Sequence, residues 1–173
     1  GDTDANLLII GLAPGAHGAN RTGRLFTGDH SGQWLMKALY EIGFSNMPSS
    51  VSAKDGLILK NVFITSCVRC APPSNKPLNS ELENCSSYLV KELEILKKVK
   101  VVITLGHIAF QTYCKINELK KLQFYHLAKY RINDKHLIVS YHPSRQNTNT
   151  QKLTWPMWIN VFDLAKTILS TNN

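Results

Sequence analysis

The residues best suited to chemistry lie in four separate stretches. The first, GLAPGAHGANRTGRLFTGD at residues 11–29, surrounds Arg21, Arg24, Phe26 and Asp29 with Gly11, Gly15, Gly18, Gly23 and Gly28. Glycines allow sharp bends and close backbone approach. Guanidinium groups can hold phosphates, an aromatic ring can carry a stacked base, and a carboxylate can accept a proton or stabilise a positive centre. The stretch contains neither G-x-G-x-x-G nor G-x-x-x-x-G-K-[ST], so the ordinary dinucleotide and P-loop readings fail on spacing. A long glycine-rich turn is the plain alternative. For Asp29 the alternative is the cap of a following helix, a job compatible with chemistry. For Phe26 it is a place in the core.

The second stretch, VRCAPPSNKP at 68–77, holds Asn75. Its amide could orient water or bond a base edge, or simply serve the turn between Pro73 and Pro77. The third is LGHIA at 105–109, and the fourth is YHPSRQNTNT at 141–150. In the fourth, His142 can donate a hydrogen bond to an oxygen that gains negative charge, while Pro143 restricts the backbone beside it. Ser144, Arg145, Gln146 and Asn147 form a polar loop suited to holding phosphates. Arg21, Arg24 and Lys76 could extend that surface. A solvated basic rim is the alternative, and salt dependence separates the two.

Each stretch follows a short apolar run rich in β-branched residues: Leu7 to Ile10, Val62 to Thr65, Val101 to Leu105 and Leu137 to Tyr141. Such runs fit buried strands. Helical stripes follow: Leu35, Ala38, Leu39 and Ile42 closed by Gly43, then Leu82, Cys85, Leu89, Leu93 and Leu96 with Asn79 placed to cap, then residues 107–117 and 155–169. Alternating strands and helices predict an α/β fold, a three-layer α/β/α sandwich on a mainly parallel sheet of about four strands. Ligands bind such sheets at the carboxyl ends of the strands, where all four stretches fall. Residues 45–55 read as a polar surface loop. The basic segment Lys115 to Asp134 carries no clear assignment.

The 173 residues, 43% hydrophobic, fit a single domain over 1–173. No apolar run approaches the roughly 20 residues of a membrane span, and GDTDANLLIIG lacks the features of a signal peptide. A cytoplasmic monomer is the expectation. The formal charge of +8 favours a polyanionic partner without identifying it.

Taken together and in order, GLAPGAHGANRTGRLFTGD, VRCAPPSNKP, LGHIA and YHPSRQNTNT resemble the motifs of family 5, or B-type, uracil-DNA glycosylases. That resemblance implies the α/β/α fold and a substrate: DNA whose uracil, or another deaminated base such as hypoxanthine, is flipped out and excised to leave an abasic site. It implies catalytic roles for Asp29, His142 and Asn75, and a base pocket of Ala16, Phe26, Asn75 and His142. Stricter uracil enzymes of the superfamily carry Asn near the end of the second strand, where this chain has Ser66, so looser base choice is expected. A non-catalytic damage-binding module is the main competing function, with a nucleotide-binding α/β enzyme behind it.

The resemblance also implies a [4Fe-4S] cluster on four cysteines. Cys70 and Cys85 match the second ligand pair, whereas the N-terminal pair has no counterpart here. Either the sequence lacks an N-terminal portion or the lineage has lost the cluster. Cys67 falls outside the ligand pattern, and Cys114 reads as a residue packed in a helix. Buried cysteine is the alternative for Cys70 and Cys85.

Overall fold

The computed structural model describes residues 1–171; residues 172 and 173, the end of the expected domain, lie outside the described residues. Its elements are β1 (Leu7–Gly11), α1 (Ala19–Thr22), α2 (His30–Ile42), β2 (Val62–Ser66), a 3-10 turn (Pro73–Asn75), α3 (Asn79–Ile95), β3 (Val101–Leu105), α4 (His107–Ile116), β4 (Lys129–Ile132), β5 (Lys135–Ser140), α5 (Arg145–Asn149) and α6 (Trp155–Thr171). The sheet order is β2-β1-β3-β5-β4. The first four strands in that order run parallel, and β4 pairs antiparallel with β5.

The layers follow from the two-residue period of a strand. On one face Leu7, Ile9, Val101, Ile103 and Ile138 pack with Leu35, Leu39, Trp158 and Phe162 of α2 and α6. On the other, Leu8, Ile10, Val102, Leu137 and Val139 pack with Leu89, Phe110 and Tyr113 of α3 and α4. Buried on both sides, the central strands need apolar residues at every position. That requirement produces the continuous runs visible in the sequence.

Two expectations need correction. The sheet has five strands rather than about four, the fifth arising within the unassigned segment. KYRI alternates exposed and half-buried residues, because an edge strand covers only one face; the exposed Lys129 and Arg131 also discourage pairing with another chain. Second, Asn79 does not cap α3. Leu78 occupies that position, and the Glu81 carboxylate accepts from its backbone N–H at 2.7 Å. Gly43 closes α2 as expected, with φ of 90° and its N–H directed to the Leu39 and Tyr40 carbonyls.

The parallel strands share a carboxyl end, so the loops after β1, β2, β3 and β5 emerge along one edge of the sheet. The loop after β1 is further tied to the segment between α2 and β2. The Arg24 guanidinium bonds Ser50 Oγ, the Ser52 carbonyl and Asp55, whose carboxylate also accepts from Leu57, Val51 and Ser52 N–H. Burial alone would raise the Asp55 carboxyl, but Arg24 and these N–H groups outweigh it and hold it well below the usual carboxylate range.

Candidate active site

Asp29 stands immediately before α2, and its two carboxylate oxygens have different surroundings. Oδ1 accepts the Gly32 N–H at 2.7 Å, satisfying a free donor of the helix start. Oδ2 makes no hydrogen bond among the described residues and faces the glycine loop. A Cβ built on Gly15 would lie 2.8 Å from this oxygen, and one on Gly18 only 2.2 Å. Gly18 has a negative φ of −103°, and the space that Asp29 fills calls for glycine there. The glycine spacing that fits no phosphate-binding fingerprint is the shape of a seat for a carboxylate.

Phe26 is placed by two further glycines. Its ring fills the space that a Gly11 side chain would need, with a built Cβ 2.9 Å from Cζ. Its carbonyl lies against Gly32, where a Cβ would come within 2.3 Å of the oxygen. Phe26 belongs to the core cluster beside α2, yet its ring centroid lies 6.3 Å from that of His142, the planes tilted by 31°. Core packing and a site-facing edge therefore coexist in one ring.

His142 follows β5 and rests on Gly106, the residue after β3, whose built Cβ would be 3.3 Å from the His142 Cβ. Protein surrounds most of its ring, and this desolvation pushes its pKa down to about 4, with the nearby Asp29 carboxylate pulling the other way. The imidazole is therefore neutral at physiological pH. Neither ring nitrogen has a hydrogen-bond partner among the described residues, so one N–H remains available to donate.

The rest of the fourth stretch mostly holds itself together. Ser144 caps α5 by accepting from Asn147 N–H at 3.3 Å, and the Asn147 amide donates to the His142 carbonyl at 2.8 Å. These two side chains shape the loop, while Arg145 and Gln146 point into solvent. His30 Nε2 lies 3.0 Å from Thr148 Oγ1 and thereby ties the Asp29 loop to the His142 loop. His30, the contacts of Thr148 and Gly106, and the seating role of Gly15 and Gly18 escaped the sequence reading, which had placed Gly106 and the loop holding Thr148 at the strand ends; glycine richness was the one visible signal.

Other expected residues are more dispersed. Asn75 is exposed at the end of the 3-10 turn with φ of 55°, a left-handed conformation that Asn tolerates, and no described hydrogen bond joins its side chain to Asp29 or His142. Ala16, Arg21 and Lys76 are exposed, Arg21 donating through Nε to the His17 carbonyl at 3.0 Å. Arg24 is committed to Asp55 and its neighbours. Ser66 is buried, with Oγ donating to the Val68 carbonyl at 2.8 Å. A cavity of about 260 Å³ behind the glycine loop is lined by Pro14, Asn20, Leu25, Ser66 and Arg69 and does not reach His142.

The cysteines do not assemble a complete metal site. Cys70 is exposed and Cys85 half-buried, and among the described residues no group of three or more His, Cys, Asp or Glu could hold a metal ion. Burial pushes the Cys67 thiol up to about 11 and raises that of Cys114, so both are disfavoured as thiolate ligands. A four-thiolate set needs donors beyond Cys70 and Cys85.

Two outcomes test this geometry. Gly18→Ala is expected to cost about 1–3 kcal/mol of stability, and at least ~1 kcal/mol less in an Asp29→Gly background, because the clash disappears with the side chain. Equal costs in both backgrounds, read by chemical denaturation, would show that Asp29 is not seated there. For His142, the unfolded chain takes up a proton near pH 6.5 while the folded chain resists to about 4. Its contribution is thus intact above pH 6.5 and declines as pH falls, by on the order of 2–3 kcal/mol at pH 4. Wild type should lose this stability relative to His142→Gln; parallel pH curves would contradict it.

Comparison with known proteins agrees with the geometry. The model of the uracil DNA glycosylase superfamily matches residues 1–165. A type-5 uracil-DNA glycosylase of Pyrobaculum aerophilum is 47% identical over 154 residues, covering 89% of this chain and 68% of the relative. The type-5 enzyme of Thermus thermophilus is also 47% identical, over 96% of this chain and 77% of its own length. A type-4 uracil-DNA glycosylase of Sulfurisphaera tokodaii is 30% identical over 94% and 71%. With the matching fold, a carboxylate seated in the glycine loop and a neutral histidine beside it, this chain belongs to the uracil DNA glycosylase superfamily, among its type-5 members.

Proposed function

We propose that the chain excises uracil from DNA by hydrolysing its N-glycosidic bond, with Asp29 and His142 acting on opposite parts of one extruded nucleotide. The observation that carries this reading is the pairing of a carboxylate with one unengaged oxygen and a neutral imidazole with a free donor, across a buried aromatic ring. A base stacked on Phe26 would bring an edge to His142. As the bond breaks, the base leaves with negative charge, which the His142 N–H stabilises without transferring its proton. The sugar gains positive charge, and Asp29 Oδ2 either stabilises it or receives a proton from the attacking water.

The bond that breaks joins the base nitrogen to the sugar carbon, and the water oxygen forms the new bond to that carbon. Its proton leaves through Asp29 or solvent, and the departing base acquires a proton from solvent. No step passes through an iron-sulfur cluster. Asn75 is proposed as a further contact to the base or the water, with Ala16 at the pocket mouth. Arg21, Lys76, Arg145 and Gln146 supply the phosphate-facing surface, with Ser144 and Asn147 shaping the loop that presents it.

Base choice follows from Ser66. Ser66 carries no amide, and its hydroxyl proton is directed to the Val68 carbonyl, so this position does not offer a base edge the paired donor and acceptor of an Asn. Hypoxanthine and other deaminated bases are accordingly proposed as substrates beside uracil. The proposed setting is the cytoplasm, with the enzyme acting as a monomer on chromosomal DNA. Among the described residues, no helix is long and apolar enough to cross a membrane.

Single-turnover release of free base from oligonucleotides carrying uracil, hypoxanthine or thymine tests the reading. Removing a group that acts only in the transition state is expected to slow uracil release by about 100-fold or more for Asp29→Asn and His142→Ala, with DNA affinity little changed. Wild-type rates in either variant would remove that residue from the chemistry. DNA binding without base release by the wild-type protein would favour the damage-binding module instead.

A further inference from the structure

His126, in the loop before β4, touches neither Asp29 nor His142 but is tied to the end of β5. Its Nε2 lies 3.1 Å from the Met157 carbonyl in α6. A carbonyl oxygen only accepts, so Nε2 carries the proton and Nδ1 keeps its lone pair. That nitrogen accepts the Tyr141 N–H at 3.3 Å. The Ser140 hydroxyl, 3.4 Å from Nδ1, also bonds the Tyr141 carbonyl at 2.9 Å. The imidazole further packs on the Tyr141 ring, with centroids 5.2 Å apart.

The location gives these bonds their consequence. Regular pairing of β5 ends at Ser140, opposite Leu105, and no backbone carbonyl among the described residues accepts the Tyr141 N–H. His126 Nδ1 takes the place of that missing carbonyl and holds the strand for one more residue. The next residue is His142. Burial lowers the His126 pKa, with the Met157 bond pulling the other way, which favours the neutral ring that this arrangement needs.

We propose that His126 is a positioning residue for the glycosylase reaction: as the Nε2–H tautomer it anchors the Tyr141 backbone and thereby aims His142 at the base. The inference rests on the role given to His142 above. His126 itself does not touch the base.

Two variants separate an acceptor from mere bulk. In His126→Asn the side-chain Oδ1 stands near the place of Nδ1 and can still accept from Tyr141, whereas His126→Leu fills space and cannot. Single-turnover uracil release at saturating enzyme is expected to fall about 10- to 100-fold in His126→Leu, the scale of a small misplacement of a reacting group. It should return to within about threefold of wild type in His126→Asn, with similar melting temperatures and DNA affinities for the two. Equal rates in both variants would overturn the proposal, whether both are fast or both slow.

Should His126→Leu fail to fold, the ¹⁵N shifts of the wild-type imidazole decide the matter: Nε2–H supports the anchor, and Nδ1–H or a charged ring rules it out. His142→Ala run alongside keeps the two readings apart. Wild-type speed in that variant removes His142 from the chemistry, whereas a slow His142→Ala with a fast His126→Leu removes only the anchor.

Discussion

The Asp29 carboxylate sits in a wedge of space that the chain leaves open with glycine. One oxygen closes the start of α2 by accepting the Gly32 N–H, and the other rests over the backbones of Gly15 and Gly18. The first contact belongs to helix stability and fixes the rotamer. The second leaves an oxygen facing the loop with no partner of its own. A cap and a catalytic carboxylate are usually weighed against each other, yet here the cap bond would hold Asp29 in place for the proposed chemistry. Gly32 serves twice, donating its N–H to Asp29 and making room for the Phe26 carbonyl. The helix start, the stacking ring and the carboxylate thus form one packing unit.

The other half of the site depends on the sheet. Parallel pairing of β3 with β5 brings Gly106 under His142, and desolvation there keeps the imidazole neutral. A neutral donor suits a leaving group that becomes anionic late, because it stabilises the departing charge and need not part with a proton. The His30–Thr148 contact and the Asn147 amide on the His142 carbonyl then couple the two loops. In the proposed reaction, loops tied in this way would supply the preorganisation that electrostatic catalysis requires.

The four parallel strands were legible because burial on both faces demands unbroken apolar runs. β4 was not, since Lys129 and Arg131 on an edge strand look like any solvated stretch. Asp29, Phe26 and His142 stood out in the motifs, and the structure brings all three together. Arg24 illustrates the opposite case. A cation beside a glycine loop suggests phosphate, but Asp55 lies 31 residues away and nothing in the local spacing announces the pair. Ser144 and Asn147 were readable as polar and not as each other's partners. Asn75 is exposed in the turn between Pro73 and Pro77, as its neighbours would suggest. The seating of Asp29 by Gly15 and Gly18 needed three dimensions, because glycine composition shows freedom and not what fills the space.

The proposed reaction places one extruded base between Phe26, His142 and Asp29. A crystal structure of the Asp29→Asn protein bound to a uracil-containing duplex addresses it most directly. It should show the uracil stacked against Phe26, a His142 ring nitrogen within hydrogen-bonding distance of a uracil oxygen, and the sugar carbon over the side chain of residue 29. A uracil lodged elsewhere, for example in the cavity beside Ser66 and Arg69, or left stacked in the duplex, would contradict it.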